Sequence, residues 1–234
     1  MFLRKLTLLK DIISSEEEYP FSIPSIRSVD TLTFRSNVTF FVGENGSGKS
    51  TLLEAIAYCC GFNTAGGGRN NTYNVPSSEA VLGEYIRLSW SPKVTNGFFL
   101  RSESFFEFAS HIDSLGVYKP YGGKSLHHQS HGESFFSLFL NRFGARGIYL
   151  LDEPEAALSP ARQLAFLQIL KELESQSQFI IATHSPIIMA FPGAQILNFD
   201  SCPIEEIEYE STDHYLITKG FFDNKELYLR KLFE

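Results

Sequence analysis

The sequence predicts an α/β fold, with a mainly parallel sheet core, a flanking antiparallel β part and a small helical subdomain. Three observations carry that expectation. Val38–Val42, Ile148–Leu151 and Phe179–Thr183 are unbroken, largely apolar runs with the length of strands covered on both faces. Two of them end in polar or glycine-rich turns that lead into helical patterns. Apolar residues make up 43% of the 234, enough for one sizeable core.

In chain order, Leu3–Leu9 reads as a strand, and Ser28–Phe34 as a second one after a proline-rich turn. Val38–Val42 follows and runs into Gly43-Glu44-Asn45-Gly46-Ser47-Gly48-Lys49-Ser50, which fits G-x-x-x-x-G-K-[ST] at every fixed position. Thr51–Ala57 then reads as a helix, so the motif sits in the strand–loop–helix setting it requires. Its glycines let successive N–H groups face phosphates, and the helix start adds its positive dipole end. Lys49 is placed to reach the β and γ phosphates of ATP, and the Ser50 hydroxyl to ligate Mg²⁺.

Gly61–Asn74 is a polar, glycine-rich loop, and Tyr85–Trp90 and Gly97–Arg101 are strands. Glu103–Leu115 reads as a helix that opens the smaller subdomain, which runs on to a helix over Glu133–Phe143. Ser130 is a good N-cap for that helix, and a serine hydroxyl beside free N–H groups makes an anion site. It lies 80 positions after Ser50, with no second phosphate motif nearby.

Ile148–Leu151 ends in Asp152 and Glu153. The carboxyl end of a parallel strand is where open α/β sheets bind ligands. Asp152 can hold the Mg²⁺ shell there, and Glu153 can orient or deprotonate an attacking water. Ser159 and Pro160 start a helix whose apolar face is marked by Leu164, Leu167, Leu170 and Leu173. His184 ends the next strand, expected beside the one carrying Asp152, and a contact to transferring phosphate suits it. Strands over Gln195–Phe199 and Ile204–Tyr209 and a helix over Asn224–Phe233 complete the expectation.

The net charge of −7, the pI of about 5.4 and the lack of a lysine or arginine run argue against a broad nucleic-acid surface. A local basic patch formed on pairing stays open. No apolar stretch approaches the roughly 20 residues that span a bilayer, and no signal pattern opens the chain, so a cytoplasmic protein is expected. Cys59, Cys60 and Cys202 are too few for a disulfide framework. His127, His128 and His131 lack a ligand set at metal spacing apart from Glu133, and read as no metal site.

With these motifs together, the chain resembles the ATP-binding-cassette ATPases, closer to their SMC/RecF-like branch than to transporter subunits. Gly43–Ser50 matches Walker A, with Thr51 just after it, and Ile148–Asp152 matches Walker B. Glu153 matches the catalytic glutamate, Ala156–Ser159 the D-loop and His184 the switch histidine. Ser130-His131-Gly132-Glu133 matches a divergent signature motif, with Gln129 for the usual leucine and His131 for the first glycine. GENGSGKSTLLEAIA and YLLDEPEAALSP also resemble small bacterial AAA/ABC ATPases of unassigned role. The resemblance implies a head-to-tail homodimer around two MgATP, with Ser130, Gly132 and Glu133 reaching the partner protomer's ATP. It also implies one domain over 1–234, split into a nucleotide-binding core (1–102 and 144–234) and a helical subdomain (103–143). The Q-loop has no clear counterpart, with Glu103 in its region, and Tyr19 or Phe21 lies where an adenine-stacking aromatic would.

Only 80 positions separate Ser50 from Ser130, with no heptads, so long coiled-coil arms do not fit and a bare ATPase head is expected. The leading function is an ATP-hydrolysing switch that signals to a separate effector protein, in repair or defence by resemblance. A transporter's nucleotide-binding subunit and a non-hydrolysing scaffold are the alternatives.

Overall fold

The computed structural model describes residues 1–64, 66–69, 80–116, 123, 125 and 131–234. In chain order its strands are β1 (Leu3–Leu8), β2 (Thr31–Thr33), β3 (Val38–Val42), β4 (Ile86–Trp90), β5 (Gly97–Arg101), β6 (Ile148–Asp152), β7 (Gln178–Ala182), β8 (Gln195–Asn198) and β9 (Glu205–Glu206). The helices are α1 (Pro24–Ser28), α2 (Lys49–Cys60), α3 (Phe105–Leu115), α4 (His131–Arg142), α5 (Pro160–Leu173), α6 (Pro186–Met189), α7 (Asp213–Asp223) and α8 (Lys225–Phe233).

Six strands form one sheet in the order β5-β6-β7-β3-β8-β9, parallel except for β9. Every residue of β3, β6 and β7 is buried, which is why these segments carry no alternating polar pattern. Alternate residues serve two separate cores. Phe40, Leu100, Tyr149, Leu151 and Ile181 pack with Phe108, Phe139 and Phe166 from α3, α4 and α5. Phe41, Phe99, Leu150 and Ile180 pack on the other face with Leu52, Leu53 and Ile56 of α2 and with Leu3 and Leu6 of β1. A three-stranded antiparallel sheet, β2-β1-β4, closes that second core. Gln178 joins the two sheets, since its Oε1 accepts from Leu3 N at 2.7 Å and its Nε2 donates to Leu3 O at 3.0 Å. Among the described residues no helix is long and apolar enough to cross a membrane.

Four expectations change. Ser28–Phe34 is not one strand: α1 ends at Ser28 and only Thr31–Thr33 pairs with β1. The Ile204–Tyr209 strand shrinks to two residues and gives way to a 3-10 turn over Tyr209–Ser211. The leucine face of α5 is displaced, for Gln163, Phe166, Ile169 and Leu170 are buried while Leu164 is 58% exposed. Ser159 holds the N-cap position of α5 without a side-chain capping bond. Helix α7 has no counterpart in the sequence reading: it carries a helix-disfavouring glycine at Gly220 and none of its residues is fully buried, so no apolar stripe announces it.

Candidate functional site

The loop between β3 and α2 curls because three glycines adopt positive φ: Gly43 at 142°, Gly46 at 79° and Gly48 at 98°. Gly48 is doubly constrained. A Cβ there would lie 2.9 Å from Ser25 Oγ and 3.1 Å from Ile23 Cγ2, so α1 packs directly against the turn. Ser25 Oγ also donates to Ser47 O in a short contact. From the other side, Glu44 N donates to both Asp200 carboxylate oxygens, at 2.9 and 3.1 Å. Asp200 follows β8, next to β3 in the sheet, and thus clamps the loop's start.

Lys49 starts α2 and is almost fully buried. Its amine donates to Gly43 O at 2.7 Å and Glu44 O at 2.8 Å. Burial lowers its pKa, and the nearby Glu153, Asp200, Asp152 and Glu44 carboxylates act against that. Ser50 Oγ donates to Asp152 Oδ1 at 2.9 Å, joining the first turn of α2 to the end of β6 across 102 positions of sequence. Burial pushes the Asp152 carboxyl up to about 6, despite the Ser50 hydrogen bond and the Arg101 charge. A hydroxyl and a buried, undercompensated carboxylate are hard oxygen donors, and they fit Mg²⁺ carried in with a nucleotide. Among the described residues no group of three or more His, Cys, Asp or Glu could hold a metal ion by itself.

A cavity of about 400 Å³ opens over this loop, lined by Tyr19, Asn45, Gly46, Lys49, Thr51 and Glu153 among others. Tyr19 is 58% exposed at its mouth, with its hydroxyl 3.3 Å from Thr51 Oγ1. Phe21 is instead buried edge-on against Tyr85, at 4.9 Å between ring centroids. Of the two aromatics expected near a base, Tyr19 alone lines the cavity.

Glu153 has a left-handed backbone, with φ 49° and ψ 54°, which costs a non-glycine residue about 1 kcal/mol. Its N–H donates to Ala182 O at 2.9 Å, pinning the turn to β7 while the side chain lines the cavity. Next along, the Glu155 carboxylate accepts from Thr183 Oγ1 at 2.8 Å and His184 N at 2.5 Å. This fixes His184 beside Glu153: His184 Nε2 is 3.7 Å from Glu153 Oε1. That Nε2 is buried and has no hydrogen-bond partner among the described residues. Burial, then the charges of Lys49 and His214, lower the His184 pKa, so the ring is neutral at neutral pH.

The structure therefore brings Lys49, Ser50, Asp152, Glu153 and His184 around one end of the parallel sheet. Ser130 lies outside the described residues, as do Gln129, His127 and His128. His131, Gly132 and Glu133 form the first turn of α4, which begins two residues before the expected helix. Glu103 is 80% exposed and pairs with Arg101 at 3.1 Å. The group nearest Asp152 from β5 is Arg101 itself, opposite Asp152 in the ladder, with its Nε 3.9 Å from Asp152 Oδ2. Arg101 also pairs at 2.5 Å with Glu54, whose side chain is only 5% exposed.

Sequence reasoning missed Arg101, Glu54, Asp200 and His214. The first two leave a trace, a charge inside the apolar helix Leu52–Ala57 and a charge closing the apolar strand Phe98–Leu100. Asp200 and His214 leave none, since both act through contacts 156 and 30 positions away in sequence.

Comparison with known proteins finds two family models and several relatives similar to parts of the chain. A family model described as "AAA domain" matches residues 22–106. A second, described as "AAA domain, putative AbiEii toxin, Type IV TA system", matches residues 125–190. The chain is 28% identical over 157 residues to the structural maintenance of chromosomes protein 6 of Dictyostelium discoideum, covering 65% of this chain and 13% of that protein. It is 28% identical over 189 residues to the ribose import ATP-binding protein RbsA of Caldanaerobacter subterraneus subsp. tengcongensis, covering 68% of this chain and 36% of that protein. The chain thus spans well under half the length of either curated relative. Among solved structures it is similar to the SMC head domain from Thermotoga maritima, at 19% identity and a TM-score of 0.47, covering 89% of this chain and 100% of that one.

Proposed function

We propose that the protein is an ABC-class P-loop ATPase of the SMC/RecF-like kind and works as an ATP-hydrolysing switch. The observation that carries the reading is the convergence of Ser50, Asp152, Glu153 and His184 on one phosphate-binding loop. In this account the Gly43–Thr51 loop and the Lys49 ammonium cradle the ATP phosphates, and Tyr19 stacks on the base. Ser50 and Asp152 hold Mg²⁺, which neutralises charge on the β and γ phosphates when bound. Glu153 accepts a proton from, or aligns, the attacking water. His184 donates from Nε2 to a γ-phosphoryl oxygen, satisfying an atom that has no hydrogen-bond partner among the described residues.

Head-to-tail pairing of two copies, with Ser130, Gly132 and Glu133 of each completing the other's site, belongs to this proposal. So do a cytoplasmic setting and the passing of the paired state to a separate effector protein. The test is phosphate release by wild type and Glu153→Gln with MgATP. Glu153→Gln is expected to slow release by about 100-fold or more while still binding ATP. Unchanged release would remove Glu153 from the chemistry, and no release by wild type would favour the scaffold reading.

The similarity to a ribose import ATP-binding protein supports one other reading, a transporter's nucleotide-binding subunit. Accumulation of the ATP-bound Glu153→Gln protein on membranes of its own host would favour it over a free switch.

A further inference from the structure

Beside the nucleotide site, and unused by the mechanism above, a second imidazole meets the first. His184 Nδ1 and His214 Nε2 are 2.8 Å apart, with ring centroids at 5.0 Å. His214 sits in the first turn of α7, and several contacts hold that turn in place. Thr212 caps the helix, accepting from Tyr215 N at 3.3 Å and donating to Tyr209 O at 2.8 Å. The Tyr209 hydroxyl donates to Pro186 O at 2.9 Å, two residues after His184. The imidazole pair is therefore built by anchored elements.

Two imidazoles hydrogen-bonded nitrogen to nitrogen have one hydrogen between those atoms, so one must donate and the other accept. If His184 donated from Nδ1, its Nε2 would carry a lone pair 3.7 Å from the Glu153 carboxylate, which is repulsive. If His214 donates instead, His184 Nδ1 accepts and Nε2 carries the hydrogen, which Glu153 attracts. The second arrangement also leaves Nε2–H free to donate to an anion in the cavity.

We infer that His214 is a positioning residue, whose Nε2–H holds the His184 proton on Nε2. Its consequence for rate rests on the hydrolysis reading, but the tautomer itself does not. By this route α7 is coupled to the nucleotide site, and displacing α7 frees His184 to take the wrong tautomer.

The test uses the whole protein labelled with ¹⁵N-histidine, the His184 signals being identified by their loss in His184→Asn. Without nucleotide, wild type is expected to show His184 as the Nε2–H tautomer. His214→Gln, whose amide nitrogen replaces Nε2, is expected to keep that tautomer. His214→Ala and His214→Phe, which donate nothing, are expected to lose it. kcat should fall about tenfold in the last two, the rate equivalent of one hydrogen bond, with ATP affinity unchanged and activity retained in His214→Gln. An Nδ1–H tautomer in wild type, or one unaltered in both His214→Ala and His214→Phe, overturns the inference. An inactive wild type with the expected tautomers sinks the hydrolysis reading and leaves the positioning role standing.

Discussion

Asp152 should destabilise the protein it serves. Its carboxyl pKa is pushed from 3.8 to about 6, chiefly by burial, so the folded state binds more protons than the unfolded chain between those values. Stability then falls as pH climbs through that window and levels off above it. The rise corresponds to a penalty of about 3 kcal/mol at pH 7.5 and about half of that at pH 5. Asp152→Asn keeps an oxygen for the Ser50 hydroxyl and carries no charge at either pH. In a thermal melt with a chelator present, the variant should exceed wild type by ~6–12 °C at pH 7.5, given about 2–4 °C per kcal/mol for a chain of this size. At pH 5 the gain should shrink to ~3–6 °C. MgATP should raise the wild-type Tm and leave that of the variant nearly unmoved. A variant that melts at or below wild type at pH 7.5, or gains equally at both pH values, would refute the reasoning.

Removing the guanidinium in Arg101→Ala takes an ion pair from the buried Glu54 carboxylate and should cost about 1.5–3 kcal/mol in chemical denaturation. A loss under about 1 kcal/mol would mean that the Arg101–Glu54 pair adds little to stability. Tyr19→Ala should weaken ATP binding by about 5- to 100-fold, read with a fluorescent analogue, and leave the Tm unchanged. Phe21→Ala should do the reverse, losing about 3–5 kcal/mol of stability with affinity intact. The opposite pattern would put Phe21, not Tyr19, against the base.

What the sequence made legible follows local chemistry. Walker A, the buried strands and the Asp152–Glu153 pair are contiguous, and each carries its own reason to be where it is. The parallel order could be read because Val38–Val42, Ile148–Leu151 and Phe179–Thr183 lack the alternation of half-exposed strands. The neighbours of β1 were harder. Ser28–Phe34 mixes a short helix and a short strand, and its burial is decided by the sheet it joins. On α5, the Leu spacing of three suggested a face that packing rotated toward Phe166 and Leu170. His214, Asp200 and Arg101 matter through partners distant in sequence, and no local pattern encodes a partner. The left-handed backbone at Glu153 was equally hidden, since Asp-Glu-Pro does not state which residue bears the strain.

The claim beneath the whole account is that ATP is cleaved in a site two copies build together. It is tested most directly by phosphate release per chain, measured with saturating MgATP across about three decades of protein concentration. The account predicts a rate per chain that climbs with concentration and then saturates. A rate per chain that stays flat down to the lowest concentration would contradict it.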